Sequence, residues 1–86
     1  MRKFVVKNKC GIHARPAAML VKVALTFESD ITIQNGDIKV SGKSIMGLMT
    51  LEACYGAAIT VSAEGVDAKL AVDEIQKLFD QKFDEE

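Results

Sequence analysis

The chain has 86 residues, 49% of them apolar and 27% charged, and a net charge of −1. That length supports one small domain, residues 1–86, with a modest core and no independent second domain. The charge balance excludes bulk nucleic-acid binding, which draws on clustered Lys and Arg, and no Pro, Gly or Ser-rich tract marks a disordered linker.

Lys3 to Asn8 is rich in Val and Phe and ends at polar Asn8-Lys9, which predicts an opening strand. The apolar run within Met1–Val6 is too short for a signal peptide, and no stretch approaches the roughly eighteen apolar residues that span a membrane. The protein is therefore expected in the cytoplasm, without membrane insertion. Cys10-Gly11-Ile12-His13-Ala14-Arg15-Pro16 follows and holds the only histidine and the only proline. Proline is favoured in the first turn of a helix, where its missing N–H costs nothing, so a helix is predicted from Pro16 with His13 at or near its cap. Ala17, Leu20, Val21 and Ala24 form its apolar stripe, with Lys22 off it, and it should end near Thr26 to Ser29.

Ile31 and Ile33 alternate with Thr32 and Gln34, the turn-forming pair Asn35-Gly36 follows, and Ile38 and Val40 alternate with Lys39 and Ser41: a β-hairpin. Ser44 can cap a short helix over Ile45 to Leu51, weakened by Gly47. After Gly56, Ile59, Val61 and Ala63 alternate with Thr60, Ser62 and Glu64 as a half-buried strand. Asp67 can cap a last helix with Ala71, Val72, Ile75, Leu78 and Phe79 on its buried stripe and Phe83 one turn further. Acidic Asp84-Glu85-Glu86 opposes the dipole at that helix's C-terminus and is expected to fray.

Short strands on which only alternate residues are apolar predict an antiparallel sheet with one wet face. The amphipathic helices then cover the other, in an α+β, two-layer open-faced β-sandwich of four strands with the order β-α-β-β-α-β-α. No internal repeat is visible. Cys10 and Cys54 lie far apart without C-x-x-C spacing, which supports neither a disulfide framework nor a zinc site, so no metal and no cofactor is expected.

The chemistry concentrates at His13. A helix start presents backbone N–H groups without intrahelical partners and the positive end of the helix dipole, a setting that favours an anion. A neutral imidazole can act as a nucleophile and carry a transferable group. A phosphoryl group there brings roughly two negative charges, which the helix-start N–H groups and the Arg15 guanidinium can both face. The same placement suits a histidine that merely caps the helix or sits on the surface, and spacing alone does not separate these readings. Hydrolase motifs are absent: there is no G-x-S-x-G elbow, no H-E-x-x-H, no Walker loop and no carboxylate pair near His13. A small enzyme using His13 as general base also lacks residues to build a pocket.

Gly11-Ile12-His13-Ala14-Arg15-Pro16-Ala17 resembles the active-site signature of the HPr phosphocarrier family of the phosphoenolpyruvate-dependent sugar phosphotransferase system. Lys43-Ser44-Ile45-Met46-Gly47 resembles that family's second signature, and the spacing of the two, the Glu64-Gly65 turn and the final helix fall in register with it. The resemblance implies a protein that is not itself an enzyme. By that resemblance, His13 would be phosphorylated on Nδ1 by phospho-enzyme I and would pass the group to an enzyme IIA domain. Arg15 would stabilise the phosphoryl group. Ser44 would take a regulatory phosphate from an HPr kinase/phosphorylase and could thereby signal to a transcriptional regulator. Read without the family, Ser44 is a plain N-cap serine. A nitrogen-type regulatory paralogue, or a signalling module acting mainly through phospho-Ser44, is the alternative.

The partner surface is expected between the two helix starts. Ile45, Met46 and Met49 belong to a helix too short to bury everything it carries and are assigned to an exposed patch with Ala14, Ala18 and Leu20, where adaptable methionines suit a protein that binds several partners in turn. Leu48, Leu51 and the Leu20-Val21 pair are assigned to the core. Lys22 is either a rim contact to acidic partner surfaces or an ordinary solvated lysine. The protein is expected to act as a monomer. Cys10 departs from the family pattern, in which Ser or Asn is usual: it is either an unreactive small residue or, beside a helix start and Arg15, an oxidisable thiol.

Overall fold

Period-two alternation puts Phe4, Ile31, Ile33, Ile59 and Val61 on one face of a sheet, and all five are buried. The computed structural model describes residues 1–84. Its strands are β1 (Arg2–Val5), β2 (Asp30–Asn35), β3 (Ile38–Ser41) and β4 (Ala58–Glu64), and its helices are α1 (Ala14–Ala24), α2 (Ile45–Thr50) and α3 (Ala68–Asp80). The sheet is antiparallel throughout, in the order β1-β4-β2-β3. Register pairs Phe4 with Ile59 and Ile33 with Val61, so the apolar residues of neighbouring strands meet on one face. Thr32, Gln34, Thr60 and Ser62 alternate with them and leave the opposite face open and polar. The α+β open-faced sandwich expected from the sequence is therefore the observed architecture.

Pro16, Ala17, Leu20, Val21 and Ala24 of α1 and Ala71, Val72, Ile75 and Phe79 of α3 are buried in the helix layer, with Leu48 of α2 beside them. Phe79 stacks on Phe4 with ring centroids 4.9 Å apart. The Arg2 guanidinium fastens β1 to α3, donating to Asp73 Oδ1 at 2.8 Å and Gln76 Oε1 at 2.7 Å.

Several boundaries differ from expectation, each for a local reason. The first strand stops at Val5 instead of running to Asn8, because beyond Val6 the chain turns inward and buries Asn8. α1 starts at Ala14, two residues before Pro16, and ends at Ala24. The proline is the third helical residue, where its lacking N–H still falls among the leading groups that have no partner inside the helix. The hairpin loop is Gly36-Asp37, since Asn35 and Ile38 face each other as a ladder pair. Gly36 has φ +61°, the glycine-first pattern of type II′ turns. Asn35 instead donates from Nδ2 to the Leu51 carbonyl at 2.9 Å, where α2 ends.

Asp67 stands at the N-cap of α3, but its side chain makes no cap hydrogen bond. Its carboxylate crosses to the α1–β2 connection and accepts from the Glu28 N–H at 2.9 Å, the Ser29 N–H at 3.0 Å and the Ser29 hydroxyl. Phe83 is fully buried, yet it does not continue α3: Lys82, Phe83 and Asp84 all have positive φ and form a separate left-handed turn. Asp84 closes that turn by donating its N–H to the Gln81 carbonyl at 3.0 Å, while the fraying expected of Glu85-Glu86 lies outside the described residues.

Candidate functional site

The loop before α1 is built to hold one residue outward. Asn8 is buried and donates from Nδ2 to the Gly11 carbonyl at 2.9 Å, and Gly11 N–H returns a bond to the Asn8 carbonyl at 3.0 Å. Ile12 sinks into the core, and its N–H donates to the Ala53 carbonyl at 2.8 Å. Gly11 has φ +69°, and a Cβ there would come within 2.4 Å of the Ala53 carbonyl oxygen, so both the turn and the close approach require glycine. With both sides tied down, the next residue, His13, projects into solvent.

His13 is the N-cap of α1, with extended backbone (φ −93°, ψ −164°), and its carbonyl accepts the first helical bond, from Ala17 N–H at 2.9 Å. Its side chain does not cap the helix. The first turn holds no acidic residue to offset the positive end of the helix, a contribution of about 0.3–1 kcal/mol toward an exposed anion. Arg15, two residues on in the same turn, is exposed, and its Nη1 donates a long, weak hydrogen bond to the Phe83 carbonyl at 3.4 Å. The left-handed turn at Lys82–Asp84 thus reaches the site. Phe83 anchors that turn in the core, edge-on to Phe79 at 5.1 Å between centroids. Sequence reasoning missed this carbonyl; the only signal was Phe83 falling in step with the stripe of α3.

Ser44 is the N-cap of α2, and its Oγ accepts from Gly47 N–H at 3.0 Å. Lys43 anchors the approach to that cap by donating from Nζ to the Phe27 carbonyl at 2.9 Å, beyond the end of α1. α1 and α2 pack against each other. On α1, Ala14, Ala18 and Lys22 are exposed at successive i,i+4 positions and form one row. On α2, Ile45, Met46 and Met49 are 41%, 75% and 45% exposed, while Leu48 and Leu51 are buried. Leu20 does not join this patch: at 1% exposure it belongs to the core alone, because it shares the buried stripe with Ala17 and Ala24. Leu25, at the C-terminal end of α1, is exposed and was missed.

The fold also gathers what the sequence scatters. Lys7, Lys9 and Lys82 line one open cleft with Tyr55. Among the described residues no group of His, Cys, Asp and Glu is placed to hold a metal ion, and no helix is long and apolar enough to cross a membrane.

The family model described as the PTS HPr component phosphorylation site matches residues 1–81. The chain is 43% identical over 81 residues to the phosphocarrier protein HPr of Treponema pallidum, covering 94% of this chain and 92% of that protein. It is 44% identical over 84 residues to the phosphocarrier protein NPr of Shewanella violacea, covering 98% of this chain and 92% of that protein. Among solved structures, HPr-C-His from Thermoanaerobacter tengcongensis matches with a TM-score of 0.93 at 42% identity, covering 100% of this chain and 99% of that one.

Proposed function

The chain belongs to the HPr family of phosphocarrier proteins, and from that premise we propose that residues 1–86 act as one monomeric domain that carries a phosphoryl group on His13. The observation that carries the reading is the placement of His13: an exposed imidazole at the N-cap of α1, in a first helical turn free of acidic side chains, with Arg15 exposed beside it. Phospho-enzyme I, charged from phosphoenolpyruvate, donates the group. A P–N bond forms at Nδ1 of His13 as the donor's bond to phosphorus breaks. The reverse exchange delivers the group to a histidine of an enzyme IIA domain.

The chain's own residues supply position and charge. Asn8, Gly11 and Ile12 hold the loop so that His13 faces outward. The N–H groups at the start of α1 and the Arg15 guanidinium face the added charge, and their exposure keeps the stabilisation to a few kcal/mol at most, so that the group stays transferable. Arg15 offers a planar fork matched to phosphoryl oxygens. Ala14, Ala18, Lys22, Ile45, Met46 and Met49 form the partner-facing surface.

Ser44 serves as a regulatory phosphorylation site for an HPr kinase/phosphorylase. A phosphate at the N-cap of α2 repels an acidic partner surface, and it presents a charge that a transcriptional regulator can read. Sugar-type and nitrogen-type service are both compatible with the similar identities to an HPr and an NPr protein, and Arg15-Pro16 with the Ser44 signature favours the sugar type. Two strains separate carrier from signalling module. In the source organism, His13→Ala should abolish phosphotransferase-dependent sugar uptake, and Ser44→Ala should leave uptake intact while removing regulation. Intact uptake in the His13→Ala strain overturns the carrier reading.

A further inference from the structure

Cys10 and Cys54 are distant in sequence, yet the fold lays their segments side by side. Ile12 N–H bonds the Ala53 carbonyl at 2.8 Å, and a Cβ on Gly11 would lie 3.0 Å from the Cα of Cys54. Adding a bond of about 1.5 Å and the step of about 3.8 Å from Gly11 to Cys10 places the two cysteine Cα atoms no more than about 8.3 Å apart. The Cα span of a disulfide, about 4.4–6.8 Å, lies inside that limit. A second observation agrees: Lys9 and Tyr55, the chain neighbours of the two cysteines, line the same cleft. Both thiols are free and exposed. Each sits in a turn outside the helices and strands, Cys10 in the one closed by Gly11 N–H on the Asn8 carbonyl and Cys54 in the one closed by Ala57 N–H on its own carbonyl.

The geometry points to Cys10 and Cys54 as a peroxide-sensitive pair that closes to an intramolecular disulfide and lowers the acceptance of a phosphoryl group at His13. One thiolate attacks hydrogen peroxide, forming a sulfenic acid and releasing hydroxide. The second thiol displaces the sulfenic oxygen as water and forms the S–S bond. In sum, two thiols and one peroxide give one disulfide and two waters: the sulfurs lose two electrons and the peroxide gains them. The cross-link ties the loop that carries His13 to the Ala53–Cys54 segment, which alters the approach to the imidazole. The effect on transfer rests on the phosphocarrier reading; formation of the disulfide does not.

The test treats the purified protein with hydrogen peroxide, maps its peptides by mass spectrometry and measures phosphorylation by enzyme I and phosphoenolpyruvate before and after. The expected product is monomeric, links the Cys10 and Cys54 peptides with loss of two hydrogens, reverts with dithiothreitol, and is phosphorylated about tenfold more slowly, since misplacing a reacting group by an ångström costs up to about a hundredfold. Cys54→Ser should be phosphorylated at the unmodified rate and form no intramolecular link with peroxide. Oxidation to sulfinic or sulfonic acid without a link, or a link only between two molecules, overturns the pair. A Cys10–Cys54 link with an unchanged rate overturns its control of transfer. If the reduced protein accepts no phosphoryl group, the carrier reading fails while the peptide map still decides the disulfide.

Discussion

The guanidinium of Arg15 faces the backbone carbonyl of Phe83, 3.4 Å away, so a residue of the first turn of α1 reaches the left-handed turn at Lys82–Asp84. Phe83 holds that carbonyl in place by burying its ring against Phe79.

Replacing the ring should loosen both. Phe83→Ala is expected to cost about 3–5 kcal/mol by leaving a cavity, and Phe83→Leu, which keeps most of the volume, less than about 1.5 kcal/mol. Phe83→Leu should slow phosphorylation of His13, because the turn bearing the carbonyl shifts. Arg15→Lys should leave stability unchanged and slow transfer more, since an ammonium cannot offer the planar fork. Urea denaturation alongside a phosphoryl-transfer assay checks the two separately.

Ser44 caps α2 through the Gly47 N–H. Ser44→Ala should lower stability by about 1 kcal/mol, a Tm decrease of roughly 4–8 °C for a chain of this size, and leave phosphorylation of His13 intact. Ser44→Asp keeps an accepting oxygen at the cap and should retain stability while weakening transfer from enzyme I. Thermal melts and enzyme I titrations distinguish a capping role from a docking role.

Asp67 gives the fold an acid limit. The Ser29 hydroxyl foremost, then the Glu28 N–H, hold its carboxyl below the usual 3.8. The unfolded chain therefore takes up this proton at higher pH than the folded one. The stabilisation is fully present above about pH 4 and is lost as pH falls through the lowered folded value. Asp67→Asn should flatten the decline of Tm as pH falls below about 4, and the effect should be modest because the carboxylate is only half-buried.

Met46 is 75% exposed on α2. Met46→Ala should change stability by no more than about 0.5 kcal/mol. If this helix docks partners, KM for the carrier in the enzyme I reaction rises while kcat holds, and steady-state kinetics at several carrier concentrations show the split.

The sheet and the helical stripes were legible because period two and period 3.6 are written in single residues: Ile31, Ile33, Ile59 and Val61 alternate with polar neighbours, and Ala17, Leu20, Val21 and Ala24 recur at helical spacing. Ser44 and His13 were placed at their caps by the same local rules. What escaped depends on long-range closure. Nothing near Arg15 announces the Phe83 carbonyl, because the left-handed turn at Lys82–Asp84 is imposed by burying the Phe83 ring and not by a glycine. Asp67 reads as a cap, yet the α1–β2 connection brings it the donors of Glu28 and Ser29, and these win. Cys10 and Cys54 read as unrelated until the Ile12–Ala53 bond joins their segments.

The central claim is that His13 carries the phosphoryl group. The protein incubated with enzyme I and labelled phosphoenolpyruvate should take up one label that is lost in acid and survives in base, and His13→Ala should take up none. No uptake by the unmodified protein, or label that persists in His13→Ala, contradicts the account.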